Sequence, residues 1–516
     1  MKNILYKSLL IIFLFGIMSC SDFLEEEVLD QISVDYIYST EEGLKVGVNA
    51  LYNRMRQYNV PAGDAGAALR ANLFFMTGTD LGMTRTYHRP YDRTNHTAVG
   101  FPSEKWIGGY QLIDRCNAII NSAANVDGEA KTINNVVAQA RTIRAELYFD
   151  LIRMYDNILL DTTATTPENV DDPIVYAPAN PADVFALIDG DLSFAIQNLA
   201  YNEPYGRYNK AVARHLKGKA AMWQKNYQEA ANQFDAIITE SGKKLVGINQ
   251  VFGQNLNHSE MLFAYTFNEI LGGSNDLAGG GGHWIGAVFT QRLYEQGSGD
   301  FIQQVEYGGQ ALAWSHPNNY LKSLYDKQND RRYTAYYYPE TYVANNPNSP
   351  RFGQVIPVSA YDNNFRRYNF SLKKFYDAEK GALTNDSWKD YPMYRLAETL
   401  LLGSEAHWRL GNEAKALEYI NTVRRRAYGG SQAYDFTSYT LDTYLEESAR
   451  ELAMERNRWF LLKRLGLLVE RQSKYYQYGS NSTNLVLEPM QPHMVTCPIP
   501  QSQIDLMGTF PQNPGY

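Results

Sequence analysis

From Trp106 onward the apolar positions fall at helical spacing. In WIGGYQLIDRCNAIINSA, residues Ile107, Tyr110, Ile113, Asn117 and Ile120 keep the 3–4 spacing of one helix face. VVAQARTIRAELYFDLIRMY does the same with Val137, Ala140, Arg144, Leu147, Leu151 and Met154, which puts Arg144 on the apolar stripe. A buried guanidinium needs a carboxylate, so Arg144 is expected in a structural ion pair.

Two later segments share one pattern. Gly218, Ala230, Phe234 and Ile237 recur at the same offsets as Ser404, Ala416, Ile420 and Val423. Small residues at the first two positions let paired helices approach and the last two fill the gap between them, as in tetratricopeptide repeats. The units, near 211–241 and 394–427, are far apart, so no tandem array is expected. The predicted fold is mainly α: a tetratricopeptide-like helix-pair scaffold interrupted by long, irregular, aromatic-rich loops. Periodicity fails in 62–102, 271–299, 308–319 and 333–365, which are rich in Gly, Pro, Asn and aromatics. Loops of that length usually carry function. GGSNDLAGGGGHW lacks both the Lys-Ser/Thr of a phosphate loop and a strand-turn-helix context, and is expected to be a surface loop presenting His283 and Trp284.

The first twenty residues read differently. Lys2 and Lys7 precede a short apolar run from Leu9 to Ile17, and Ile17-Met18-Ser19 lead to Cys20. This is the layout of a cleaved export signal with Cys20 left as a lipid-bearing first residue. The run is well short of the ~20 apolar residues that span a bilayer. The expected division is a signal over 1–19, a lipidated tether over 20–40 and one domain over 41–516.

Composition narrows the partners. A net charge of −8 offers no basic face for nucleic acid. Tyrosine is used 39 times, and its stacking face and wet hydroxyl suit surfaces that bind sugars or peptides. Cys116 and Cys497 are expected as buried free thiols. Glu398 and Glu405 stand two turns apart on one helix face, about 10 Å by helix rise. They would point the same way rather than flank a bond, so salt bridges with Arg395, Arg409 or the Arg424-Arg425-Arg426 run are expected instead of a glycosidase pair. The eight histidines show no HExxH or other close pair, and GxSxG is absent, so neither metal, cofactor nor catalytic residue is assigned.

DYPMYRLAETLLLGSEAHWRLGNEAKALEYINTVRRRA, then ARELAMERNRWFLLKRLG, then the terminal PIPQSQIDLMGTFPQNPGY resemble the SusD/RagB family. CSDFLEEE after Cys20, the Trp106 helix, AQARTIRAELYFDLIRMY and the Tyr325–Arg332 stretch agree, so the resemblance covers essentially the whole chain. Ser448 stands where the family usually has arginine, and Leu461 where it usually has aspartate. The resemblance implies a surface-exposed, lipid-anchored outer-membrane protein of a Bacteroidetes-type bacterium. Such a protein binds nutrient without hydrolysing it and passes oligosaccharide, or in some branches peptide, to a SusC-like TonB-dependent barrel. A helical-repeat adaptor that binds only protein is the alternative of a different class. Ligand residues vary among members, so candidates rest on loop position and chemistry: Asp80, Tyr87, His88, Tyr91, Trp284, Trp314 and Tyr320. A sugar ring wants an aromatic platform beside polar side chains.

Overall fold

Thr40 caps the first long helix, its hydroxyl accepting from Gly43 N at 3.1 Å. The computed structural model describes residues 37–516 apart from 62, 64–66, 86–90, 92–95, 101, 270–280, 296–298, 358–364, 368 and 479–489. That first helix, α1 (Glu41–Asn59), buries Leu44, Val48, Leu51 and Met55, an i, i+4, i+7, i+11 stripe. The long helices continue as α2 (Ala67–Thr77), α3 (Ser103–Ser122), α4 (Ala130–Tyr155), α5 (Pro181–Asn198), α6 (Lys210–Trp223) and α7 (Tyr227–Glu240). After the loop-rich stretch come α8 (Leu396–Arg409), α9 (Glu413–Ala427), α10 (Leu441–Leu452), α11 (Asn457–Arg464) and α12 (Leu468–Tyr475).

From α3 to α9 each helix packs on the next, and α10 closes the row against α8 and α9. The predominance of helix and the paired scaffold are as predicted. The repeats are interrupted in sequence, as expected, yet α7 lies directly on α8 although residues 241–395 separate them. Gly218 of the shared pattern and Gly403, beside its Ser404, explain the contact. A Cβ on Gly218 would come within 2.5 Å of the Phe234 ring, and one on Gly403 would lie 3.1 Å from Tyr419 and 3.4 Å from Phe234. Phe234 therefore wedges into both pairs at once, and the repeat is continuous in space though broken in sequence.

The inserted stretch supplies short strands. β1 (Gly82–Thr84) pairs antiparallel with β3 (Ser315–Pro317) and parallel with β7 (Gln477–Tyr478), while β2 (Met261–Tyr265) pairs with β6 (Tyr391–Arg395) and β4 (Thr341–Val343) with β5 (Val355–Pro357). β2 is buried on both faces, which its run MLFAY allows.

Buried charge ties loops to helices. Glu451 on α10 accepts from Arg395 and Arg426 at 2.6 Å each and from Arg332 at 3.1 Å. Burial alone would raise its carboxyl, but these three guanidiniums outweigh that and hold it far below the ordinary range. Arg144 forms the expected pair, bidentate to Asp191 at 2.8 Å. Glu398 is held by Lys219 at 2.7 Å and His215 at 3.1 Å, and Glu405 by Arg464 at 2.5 Å and Arg409 at 3.7 Å. Of the arginines expected to serve these two, only Arg409 does. The others serve Glu260, Glu447, Glu451, Glu455 and Asp435. Cys116 and Cys497 are free and buried, as expected. Ser448 and Leu461, the two departures from the family pattern, border one cavity of about 50 Å³.

Candidate functional site

The sheet, in strand order β3–β1–β7, positions a pair of stacked tyrosines. Asn318 follows β3 and locks it in place: its Oδ1 accepts from Leu321 N at 3.0 Å, while its Nδ2 donates to Asp80 O at 2.7 Å and Tyr475 O at 2.8 Å. The short helix that it caps carries Tyr320. That ring stacks on Tyr475, the last residue of α12, with centroids 3.9 Å apart and planes 21° apart.

A relay fixes the pair from beneath. Arg471 on α12 donates from Nη2 to the Tyr320 hydroxyl at 2.6 Å and from Nε to Asp80 at 2.8 Å. Asp80 also takes two bonds from Arg458 on α11, at 2.9 and 2.7 Å. Burial would raise the Asp80 carboxyl, but Arg458 and Arg471 overcome it and keep it below its ordinary value. The result is two half-buried parallel tyrosines with a guanidinium at their edge, rotationally fixed by a buried ion pair. Such a surface offers a ring face for C–H groups and a hydroxyl and N–H for hydroxyl groups.

Of the sequence candidates, Asp80 and Tyr320 are thus brought together through Arg471. Asp80 itself is fully buried, so the expectation that it touches ligand gives way to a positioning role. Tyr91 is 2% exposed; its hydroxyl donates to Gly78 O and accepts from Trp459 Nε1, which makes it a core residue. Trp314 is 8% exposed within the same core, contrary to the open platform expected of it. His283 is also buried, bridged to Ser387, with Nε2 donating to Lys389 O at 2.9 Å. Trp284 beside it is half-buried, its Nε1 donating to Asp386 at 2.8 Å and its ring lying 3.8 Å from where a Cβ on Gly63 would stand. It therefore remains a second partly open aromatic. Tyr87, His88 and Cys20 lie outside the described residues.

Tyr475 and Arg471 were not singled out from the sequence. LVERQSKYY reads as an ordinary short amphipathic helix, and only its doubled tyrosine hints at a surface role.

Residues 253–516 match the SusD family. The chain belongs to the SusD family. It is 24% identical to the SusD-like protein P25 of Formosa agariphila over 98% of each chain. Among solved structures it resembles a laminarin-binding SusD-like protein, with a TM-score of 0.70 at 22% identity over 93% of this chain and 100% of that one. It also resembles surface glycan-binding protein A of Bacteroides thetaiotaomicron in complex with laminarihexaose, with a TM-score of 0.69 at 19% identity over 92% of this chain and 99% of that one. At these identities the solved structures establish the fold. Among the described residues no helix is long and apolar enough to cross a membrane.

Proposed function

We propose that this SusD-family chain captures an oligosaccharide at the cell surface, without hydrolysing it, and delivers it to a TonB-dependent outer-membrane barrel. The observation that carries the reading is the Tyr320–Tyr475 stack, 3.9 Å between centroids and held by Arg471 and Asp80, in a fold shared with proteins that bind laminarin and laminarihexaose. Residues 1–19 are removed on export, Cys20 carries the lipid, residues 20–40 form the tether, and 41–516 form the binding domain. The tyrosines take the C–H face of a sugar ring, and Trp284, already oriented by Asp386, extends the platform. Tyr87 and His88 belong to the same candidate set.

An affinity-gel panel of polysaccharides, with a peptide mixture alongside, tests this. Retardation by at least one glycan, with its chain length unchanged, is expected, and Tyr320→Ala with Tyr475→Ala should abolish it while leaving thermal unfolding nearly in place. Retention of peptide alone, or a shortened glycan, would refute the reading.

A further inference from the structure

A pocket of about 330 Å³ opens between α1, α2 and α3, within the ~300–1,000 Å³ typical of small-molecule sites. Its wall includes the half-buried Tyr58, the amides of Gln57 and Gln111, the guanidiniums of Arg54 and Arg115 and the buried amine of Lys105, against the single carboxylate of Glu104. Lys105 is 2% exposed; among the described residues its amine donates to the Tyr58 carbonyl at 2.6 Å and lies over the Tyr58 ring, 3.8 Å to centroid. Burial pushes its pKa well below the ordinary lysine value, so the charge of the pocket rests on the two arginines. Arg54 spends one N–H on Gln57 at 2.9 Å. Among the described residues none of these three basic side chains forms an ion pair. This contrasts with the buried Arg144, Arg332, Arg395 and Arg458, each of which is matched by a carboxylate. Gly108 keeps the space open, since a Cβ there would lie 3.2 Å from the Tyr58 ring.

An aromatic wall, two amides and an excess of unmatched cations select for a hydroxylated ring that carries negative charge. We propose that this pocket is a second sugar site, for an anionic residue bearing a carboxylate or a sulfate ester. The inference rests on the glycan reading above and names a substrate class for it. Arg54 and Arg115 hold the anionic group from the exposed rim, and Gln57 and Gln111 meet hydroxyls.

The full chain is titrated calorimetrically with sodium glucuronate, glucose 6-sulfate and glucose. An anionic probe should bind at least ~10-fold tighter than glucose, as two charge-assisted contacts imply. The tighter of the two tells carboxylate from sulfate, and binding should weaken in high salt. Arg54→Ala with Arg115→Ala, both exposed, should remove that preference at an unchanged melting temperature. Gly108→Val should block both probes sterically while keeping every charge. Anionic probes that bind no better than glucose, or equally well to the arginine variant, would overturn the proposal. If the gel panel finds no glycan while anionic probes still bind here, the tyrosine-pair reading falls and this one stands.

Discussion

Acid should unfold this protein early, and three buried histidines set the window. His96, His283 and His316 are each almost fully buried, and each has one ring nitrogen without a hydrogen-bond partner: Nδ1 of His96, Nδ1 of His283 and Nε2 of His316. Burial pushes their pKa values down to about 3, about 4 and about 3, because an added proton would sit unsolvated. In the unfolded chain they titrate near 6.5. The unfolded state therefore binds more protons between pH 6.5 and about 4, so stability falls as pH falls through that window. At ~1.4 kcal/mol per pH unit per group, moving to pH 5 costs about 2 kcal/mol for each and about 6 kcal/mol for the three, against a typical total of ~5–15 kcal/mol. His215, also lowered by burial, adds in the same direction, while Glu146, raised by burial, works the other way. From about pH 4.5 down to about 2, Glu398 and Glu447, each held near 2, add their own loss, because the unfolded carboxyls take up protons before the folded ones do. Urea midpoints measured at intervals from pH 7.5 to 5 read this directly. His316→Gln should flatten the slope by about 1.4 kcal/mol per pH unit, one proton's worth. A midpoint that stays level or rises toward pH 5 would refute the reasoning.

Trp314→Ala should cost ~3–5 kcal/mol in denaturant melts, whereas half-buried Trp284→Ala should cost clearly less; equal losses would count against the placement of either ring. Glu405→Gln weakens the pairs with Arg464 and Arg409, and a loss of up to ~3–5 kcal/mol is expected with ligand capture by the folded fraction unchanged, measured by melts alongside the gel panel. Cys20→Ala should release the protein from outer membranes of cells that lack the barrel partner, read by fractionation; a variant that still pellets would count against lipid anchoring.

Much of the helical frame was legible in the sequence because helix faces are local. Periodicity gave the helix through Ile113 and Asn117, though its buried face turns toward Trp106, Leu112, Cys116 and Ile119 and leaves Ile107, Tyr110 and Ile120 partly buried. The need of Arg144 for a carboxylate follows from burial alone. The family, too, is carried by contiguous motifs. Partner identity is a different matter. Asp191 meets Arg144, and Arg464 rather than the nearby arginine run meets Glu405, through contacts between elements distant in sequence. The same reason accounts for the candidate site. Asp80, Tyr91 and Trp314 stand in aperiodic stretches where a buried and an exposed side chain share one local pattern, and only packing separated them from Tyr320. Conversely, Arg471 and Tyr475 lie on a short helix that carries no local mark of function. They become a candidate site only where β1, β3 and β7 bring α12 against Asn318 and Asp80. Chemistry and periodicity along one chain determined which elements form. Side-chain volume and buried charge, satisfied across the whole chain at once, decided which of them meet.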